Sequence, residues 1–338
     1  MSHKACLAEA RSQSNQNQAR SMSHPGALST QLSVQRDFPH SSWHATEAEP
    51  VDTEASLEAL LEDGAVLRSS QLPFALQANE HEILNAGSAD GLAKNISLRW
   101  PHGHAAPQLR GASGTAEQLA AMQAMIARFA EYSEALVTRL FPHYAGHLRR
   151  GNSSFRPLPI GSRVSSWRQD DTRLHVDAFP SSPTGGKCLL RVFSNINPDG
   201  EPRAWRTGEH FETFAQRYLP QLHRSLPGSA TVLHSLHITK ARRTEYDHVM
   251  LRLHDLAKAD LRYQCEAPQA HHRFMPGTTW ICFTDQVLHA AMSGQHLLEQ
   301  TFVLEPENMR RPKNRAAAHA RAAAWAPPGR SVSVVLRK

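Results

Sequence analysis

Between residues 156 and 306 the chain breaks into short runs rich in β-branched and aromatic residues: RVSSW, RLHVDAF, KCLLRVFSNI, TVLHSLHIT, TWICF and LLEQTFVL. Turn-forming clusters such as PSSPTGG, NPDGEP and AMSGQ separate them. Short strands at this spacing bury a core only by closing into a sandwich or barrel. Two helical stretches, about 211–219 and 246–258, interrupt the series. Upstream the pattern changes. SLEALLEDG predicts a short helix closed by Gly64, VLRSSQLPFAL a strand, and NEHEILNA a helix capped by Asn79. The longest predicted helix spans about 116–141, where Leu119, Met122, Ile126, Phe129, Leu136 and Leu140 follow the helical period and Pro142 ends it. The expected class is α+β with a mainly β core. A helical layer over residues 53–150 packs on a β core over 151–307.

The ends are of a different kind. Residues 1–52 are rich in Ser, Gln, Asn and His without an apolar period, which predicts an unstructured extension. The Ala/Arg/Pro-biased tail, 308–338, predicts the same, with transient helix in its Ala-rich middle. Residues 307–338 hold eight Lys/Arg and one Asp/Glu, so the net charge of +6 sits in the tail and the remaining residues sum to −1. The basic balance is therefore no argument for nucleic acid on the folded body. A solvated tail is the plain reading, and adhesion to acidic lipid headgroups is the sharper one. No run approaches the roughly 18 apolar residues of a spanning helix, and the first residues lack the apolar region of a secretory signal. Cys6, Cys188, Cys265 and Cys282 form no CxxC pair, so a thiolate zinc site is not expected and a reducing cytosol is the default compartment.

His175-Val176-Asp177 lies in one of the β-like runs. In a strand, residues two apart share a face about 7 Å apart, so an imidazole and a carboxylate can converge on one ion. Three protein ligands on one side of an octahedral ion leave the other side open, as in non-haem Fe(II) oxygenases. HxD alone is equally the pattern of a surface pair, and a third ligand must come from elsewhere. One candidate is His289, which starts a run after the turn Thr284-Asp285-Gln286, although 21 histidines leave other choices. Arg191 shares a strand face with Lys187, Leu189, Phe193 and Asn195. A guanidinium there needs an anion: an internal carboxylate, or that of a bound acid gripped bidentately.

RLHVDAFPSSPTGGKCLLRVFSNINPDGEPRAWRTGEHFE resembles the hallmark segment of the Kdo 3-hydroxylases. The likeness extends to LFPHYAGHLRRGNSSFRP, TEYDHVMLRLHDLAKAD and the PGTTW, HAAMSG and LEQTF blocks, about residues 56–305. These are Fe(II)/2-oxoglutarate-dependent dioxygenases of Gram-negative bacteria that hydroxylate the 3-deoxy carbon of Kdo (3-deoxy-D-manno-oct-2-ulosonic acid) in the lipopolysaccharide inner core. The resemblance implies a double-stranded β-helix (jelly roll) with His175, Asp177 and His289 as iron ligands. It implies Fe(II) as cofactor, 2-oxoglutarate and O2 as cosubstrates, ascorbate as a stimulant, and succinate and CO2 as co-products. The implied substrate is Kdo-containing lipid A, met by a cytoplasmic protein at the inner face of the inner membrane, and no nucleic-acid partner is implied. Arg191 is the first candidate for the distal carboxylate of 2-oxoglutarate. Many superfamily members carry that Arg about ten residues beyond the distal His, where this chain reads Leu298-Glu299-Gln300-Thr301.

Anionic sugar and phosphate groups call for basic and amide side chains. Arg168, Arg173, Asn197 and Arg203 are the substrate candidates, with Asn195 near the cosubstrate. Arg163, Arg206 and the Lys240/Arg242/Arg243 cluster are further basic groups, each equally readable as a solvated surface charge. Trp167, Phe179 and Trp205 read as core. His102 and His104 lack a paired carboxylate. His234 and His237 fall on opposite faces of a predicted strand, while His254-Asp255 and His271-His272 are adjacent pairs that diverge. Elimination favours His175 and His289. Competing readings are a same-fold oxygenase on another polar or lipid-linked substrate and a non-catalytic β-sandwich binding anionic glycans. A zinc hydrolase is disfavoured, because no helical HExxH signature is present.

Overall fold

The computed structural model describes residues 35–37, 57–84, 88–91, 93–100, 106–162, 165–223, 225–226 and 228–311. The expectations for most of the N-terminal extension, for the tail beyond residue 311, and for His102, His104 and Arg163 lie outside the described residues.

Three helices precede or flank the large sheet: α1 (Leu57–Glu62), α2 (Glu80–Ile83) and α3 (Ala116–Leu140). Gly64 closes the turn after α1 at φ 87°, a conformation that favours glycine. The capping box Thr115/Gln118 starts α3. Four further helices follow: α4 (Phe211–Tyr218), α5 (Ser229–Ser235), α6 (Glu245–Ala259) and α7 (Leu261–Glu266).

The strands are β1 (Gln35–Asp37), β2 (Val66–Ser69), β3 (Ile96–Arg99), β4 (Gln108–Arg110), β5 (Arg149–Arg156) and β6 (Cys188–Asn195). Then come β7 (Arg203–Thr207), β8 (Ala270–Phe274), β9 (Thr279–Phe283), β10 (His289–Ser293) and β11 (Leu297–Leu304). An eight-stranded sheet runs β1-β2-β9-β6-β11-β5-β3-β4, and a three-stranded one runs β10-β7-β8. All pairs are antiparallel except β1 with β2.

Three apolar clusters define four layers. Leu190, Val192, Ile281, Phe283 and Leu298 of the large sheet pack with Met122, Ile126 and Phe129 of α3. On the sheet's other face, Phe193, Trp280, Cys282 and Leu297 meet Trp205, Phe274 and Ala291 of the small sheet. The far side of the small sheet, with Leu288 and Ala290, packs on Phe214, Val249, Leu253 and Tyr263 of α4, α6 and α7. Alternation therefore sends Leu190 and Val192 to one core and Arg191 and Phe193 to the other.

The structure corrects several sequence expectations. The N-terminal layer is not purely helical, since β2, β3 and β4 from it extend the large sheet. VLRSSQLPFAL is extended only as far as Ser69. Gln35–Asp37, inside the supposed extension, pairs with β2, whose free edge invites a partner. RVSSW supplies no strand in its described part. TVLHSLHIT is helical over its first five residues, as part of Ser229–Ser235. Val232 and Leu236 stand one turn apart as well as on alternating positions. With no strand pairing to it among the described residues, local hydrogen bonding wins. RLHVDAF makes a single bridge rather than a ladder.

Candidate metal centre

The segment 173–179 runs extended beside β10. His175 N–H donates to His289 O at 3.1 Å, and His289 N–H returns the bond at 2.9 Å. Two residues on, Asp177 N–H donates to Thr284 O, just past β9 of the other sheet, at 2.8 Å. The segment thus crosses from one sheet to the other, which ends the ladder after one bridge. That bridge sets the two imidazoles opposite each other, with ring centroids 4.7 Å apart.

One ligand atom from each of His175, Asp177 and His289 lies within 4.8 Å of the others. His175 Nδ1 is held at 2.7 Å by Arg173 O, and His289 Nδ1 at 2.8 Å by Val287 O. A carbonyl accepts only from N–H, so each Nδ1 is protonated and each Nε2 presents its lone pair. Burial pushes both imidazoles below their usual range, with the Lys258 cation adding to this at His175. Neutral imidazole is the form a metal needs. Burial alone would raise Asp177, but the Arg191 guanidinium outweighs it and holds the carboxyl at about 2. Two oriented imidazoles and a carboxylate fit a divalent cation of the Fe(II), Co(II) or Zn(II) type, open on the remaining side.

A cavity of about 240 Å³ opens on this cluster, lined also by Lys94, Arg156, Asp171, Phe179, Arg191, Phe193, Arg203, Trp205 and Glu299. Its charged groups form a chain. Lys94 pairs with Asp171 at 2.6 Å, Asp171 with Arg156 at 3.4 Å, and Arg156 with Glu299 at 2.6 Å. Arg191 then bridges Glu299 at 3.0 Å and Asp177 at 3.1 Å. Arg203 is different. Its side chain is buried, its Nη1 donates to Gly294 O at 2.8 Å, and among the described residues no carboxylate pairs with it. Burial lowers this guanidinium to about 9, and the neighbouring Arg156 cation adds to the effect.

Because the 173–179 segment lacks a full strand partner, side chains replace one. Gln264 Oε1 accepts from Leu174 N–H at 2.7 Å, and Nε2 donates to Leu174 O at 3.0 Å. Arg206 Nη2 donates to Thr172 O at 2.7 Å. We predict that Gln264→Leu leaves both Leu174 groups unpaired, destabilising the fold by about 1–3 kcal/mol. Metal affinity should fall about 10- to 100-fold. A Co(II) titration with a thermal melt checks both, and unchanged Co(II) affinity would leave Gln264 without a part in placing His175.

The sequence model of the 3-deoxy-D-manno-oct-2-ulosonic acid (Kdo) hydroxylase family matches residues 43–323. The chain belongs to the Kdo hydroxylase family. The apo structure of the Kdo hydroxylase KdoO, a non-heme Fe(II) α-ketoglutarate dependent dioxygenase, is 42% identical at a TM-score of 0.78, covering 86% of this chain and 95% of that one. KdoO in complex with α-ketoglutarate and Fe(III) is 43% identical at a TM-score of 0.75, covering 83% and 92%. KdoO with succinate and Fe(III) is 44% identical at a TM-score of 0.75, covering the same shares. No curated protein sequence matches this chain.

In this Kdo hydroxylase the residues singled out from sequence divide into two groups. His175, Asp177, His289, Arg191 and Arg203 meet at one cavity. Trp205 and Phe179, read as core, also line it, and Trp205 stacks on His289 with centroids 5.1 Å apart. Asn195 and Asn197 do not line the cavity. Asn195 Nδ2 donates to Glu201 O and Phe274 O, and Asn197 Oδ1 accepts from Asp199 and Glu201 N–H, so both pin the NPDGEP turn. Arg168 is exposed and pairs with Asp255 at 3.0 Å, and Arg173 donates to Lys258 O at 2.6 Å. His254 packs edge-on against the His175 ring at 5.4 Å. His234 and His237 are exposed, the first on α5 and the second beyond it. The sequence reading missed Lys94, Arg156, Asp171 and Glu299. The one signal for Glu299 is a lone acid in the apolar run LLEQTFVL.

Proposed function

We propose that this Kdo hydroxylase inserts oxygen at carbon 3 of Kdo in Kdo-lipid A, giving D-glycero-D-talo-oct-2-ulosonic acid with succinate and CO2 as co-products. The observation that carries this reading is the three-ligand cluster on a cavity whose walls hold four cations against three carboxylates. When bound, ferrous iron with 2-oxoglutarate and O2 supplies the oxidising power that an unactivated C–H bond requires and no acid–base pair provides.

This chain's residues supply placement and charge balance. His175, Asp177 and His289 hold the ion from one side, their rings fixed by the two backbone carbonyls. Asp171, Asp177 and Glu299 neutralise all but one of the cations Lys94, Arg156, Arg191 and Arg203. A divalent ion raises that surplus to three, which matches a dicarboxylate cosubstrate plus one sugar carboxylate. We assign Arg203 to one of these carboxylates, because Arg191 already has two internal ones. Phe179, Phe193 and Trp205 form the apolar wall that keeps water from the reacting atoms.

The strand order supports a double-stranded β-helix. From β5 onward, β5, β6, β9 and β11 enter the large sheet. The 173–179 segment, β7, β8 and β10 belong to the facing side. No helix among the described residues is long and apolar enough to cross a membrane. In this reading the lipid-linked substrate is met at the cytoplasmic face of the inner membrane.

Incubating the protein with Kdo-lipid A, Fe(II), 2-oxoglutarate and ascorbate should add one oxygen, about 16 Da, to a Kdo unit. Succinate formation without that mass gain would move the reading to a same-fold oxygenase with another substrate.

A further inference from the structure

Four of the six large apolar side chains that stand exposed among the described residues fall in one segment: Leu226 at 77%, Val232 at 56%, Leu236 at 64% and Ile238 at 52%. Scattered exposed apolar residues are ordinary, but a concentrated set marks an interaction surface. The same stretch, residues 219–244, holds four Lys/Arg and no Asp/Glu. Lys240 and Arg242 are exposed, as are His223, His234 and His237. The first acid beyond it, Glu245, accepts from Ser225 Oγ at 2.6 Å. Apolar side chains flanked by uncompensated cations complement an anionic lipid surface, whose headgroups attract the cations while the acyl boundary takes the apolar groups.

This segment is tied to the rim of the metal cavity. Lys240 N–H donates to Ser181 O at 2.9 Å, and Arg243 Nη2 donates to Pro180 O. Asp247, at the start of α6, accepts from Thr184 and Gly185 N–H at 2.8 and 3.0 Å. The loop so held follows directly on Phe179, a wall of the cavity.

We propose that Leu226, Val232, Leu236 and Ile238, with Lys240 and Arg242, form the face by which this protein seats on an anionic membrane. The surface deepens the reading of a lipid-linked substrate and rests on it. It assigns membrane contact to the α5 region rather than to the basic C-terminal tail.

The test is co-sedimentation of the full chain with phosphatidylethanolamine/phosphatidylglycerol vesicles and with phosphatidylcholine vesicles. Wild type should partition onto the anionic vesicles. The exposed double substitution Leu236→Asp/Ile238→Asp should lower the partition at least about tenfold. Lys240→Ala/Arg242→Ala should lower it about tenfold and flatten its salt dependence. Both variants should keep wild-type melting temperature and hydroxylation of detergent-dispersed Kdo-lipid A, and lose turnover of vesicle-embedded substrate. Undiminished vesicle binding in both variants, or no binding by wild type, would overturn the proposal. So would a dimer of the free protein that either variant dissolves, since the face would then belong to a second copy. Vesicle binding that needs this face, without any Kdo hydroxylation, would uphold the surface and sink the substrate instead.

Discussion

His175→Ala and Asp177→Ala are each expected to leave a folded protein without Fe(II)-dependent succinate formation, with turnover down more than about 10³-fold, or about 4 kcal/mol of barrier. Folding should survive because the contact that joins this segment to β10 is made by the backbone: the His175–His289 bridge uses N–H and C=O groups that alanine retains. The Asp177 carboxylate has Arg191 as its partner, and Arg191 keeps Glu299 at 3.0 Å when it is gone. The ion, by contrast, loses one of three protein ligands. A Co(II) thermal shift separates the two effects. Ligand binding to the folded state raises the melting temperature, more so the tighter the binding, so wild type should shift and both variants should not. His289→Ala should in addition lower the metal-free melting temperature, because the Trp205 ring loses its stacking partner at 5.1 Å. Full activity in either of the first two variants would end the assignment of the metal ligands.

What the sequence made legible follows from how local each signal is. Helix α3 was legible because its apolar period lies within its own span and Pro142 follows just beyond its last turn; the Thr115 capping box emerged only with the structure. Strands β6, β9 and β11 were legible because they are short apolar runs between turns. β5, β7 and β8 were not: RRGNSSFR, RAWRT and AHHRF carry polar residues whose pairing is supplied by neighbours in the sheet. TVLHSLHIT satisfied two periods at once, and among the described residues no strand pairs with it. At the site, the HxD spacing was readable because two ligands are two residues apart. The Arg156–Glu299 and Arg191–Glu299 pairs join residues more than a hundred positions apart, through register alone. Asn195 and Asn197 lie beside the site in sequence, yet the turn that follows β6 claims their side chains.

Arg203→Ala is expected to raise the KM for 2-oxoglutarate or for Kdo about 10- to 150-fold, the worth of one charge-assisted hydrogen bond of about 1.5–3 kcal/mol. Co(II) affinity and melting temperature should change little. The reason is the electrostatics of the free protein. A buried guanidinium with a single carbonyl partner is held at a cost that a bound carboxylate removes. Arg191→Ala should behave differently, although both guanidinium groups face the same cavity. It strips a cation from between Asp177 and Glu299, leaving two buried carboxylates to repel each other. Asp177 should then rise from about 2 as burial loses its largest counterweight. Metal affinity and stability should both fall, the latter by about 3–5 kcal/mol for a broken buried pair. A KM for 2-oxoglutarate raised in Arg191→Ala alone, with Co(II) affinity intact, would return the carboxylate clamp to Arg191. It would leave Arg203 to brace the Gly294 turn. A raised KM in Arg203→Ala with a weakened metal site in Arg191→Ala separates the two arginines: one binds the ligand, and the other keeps the iron's carboxylate ionised.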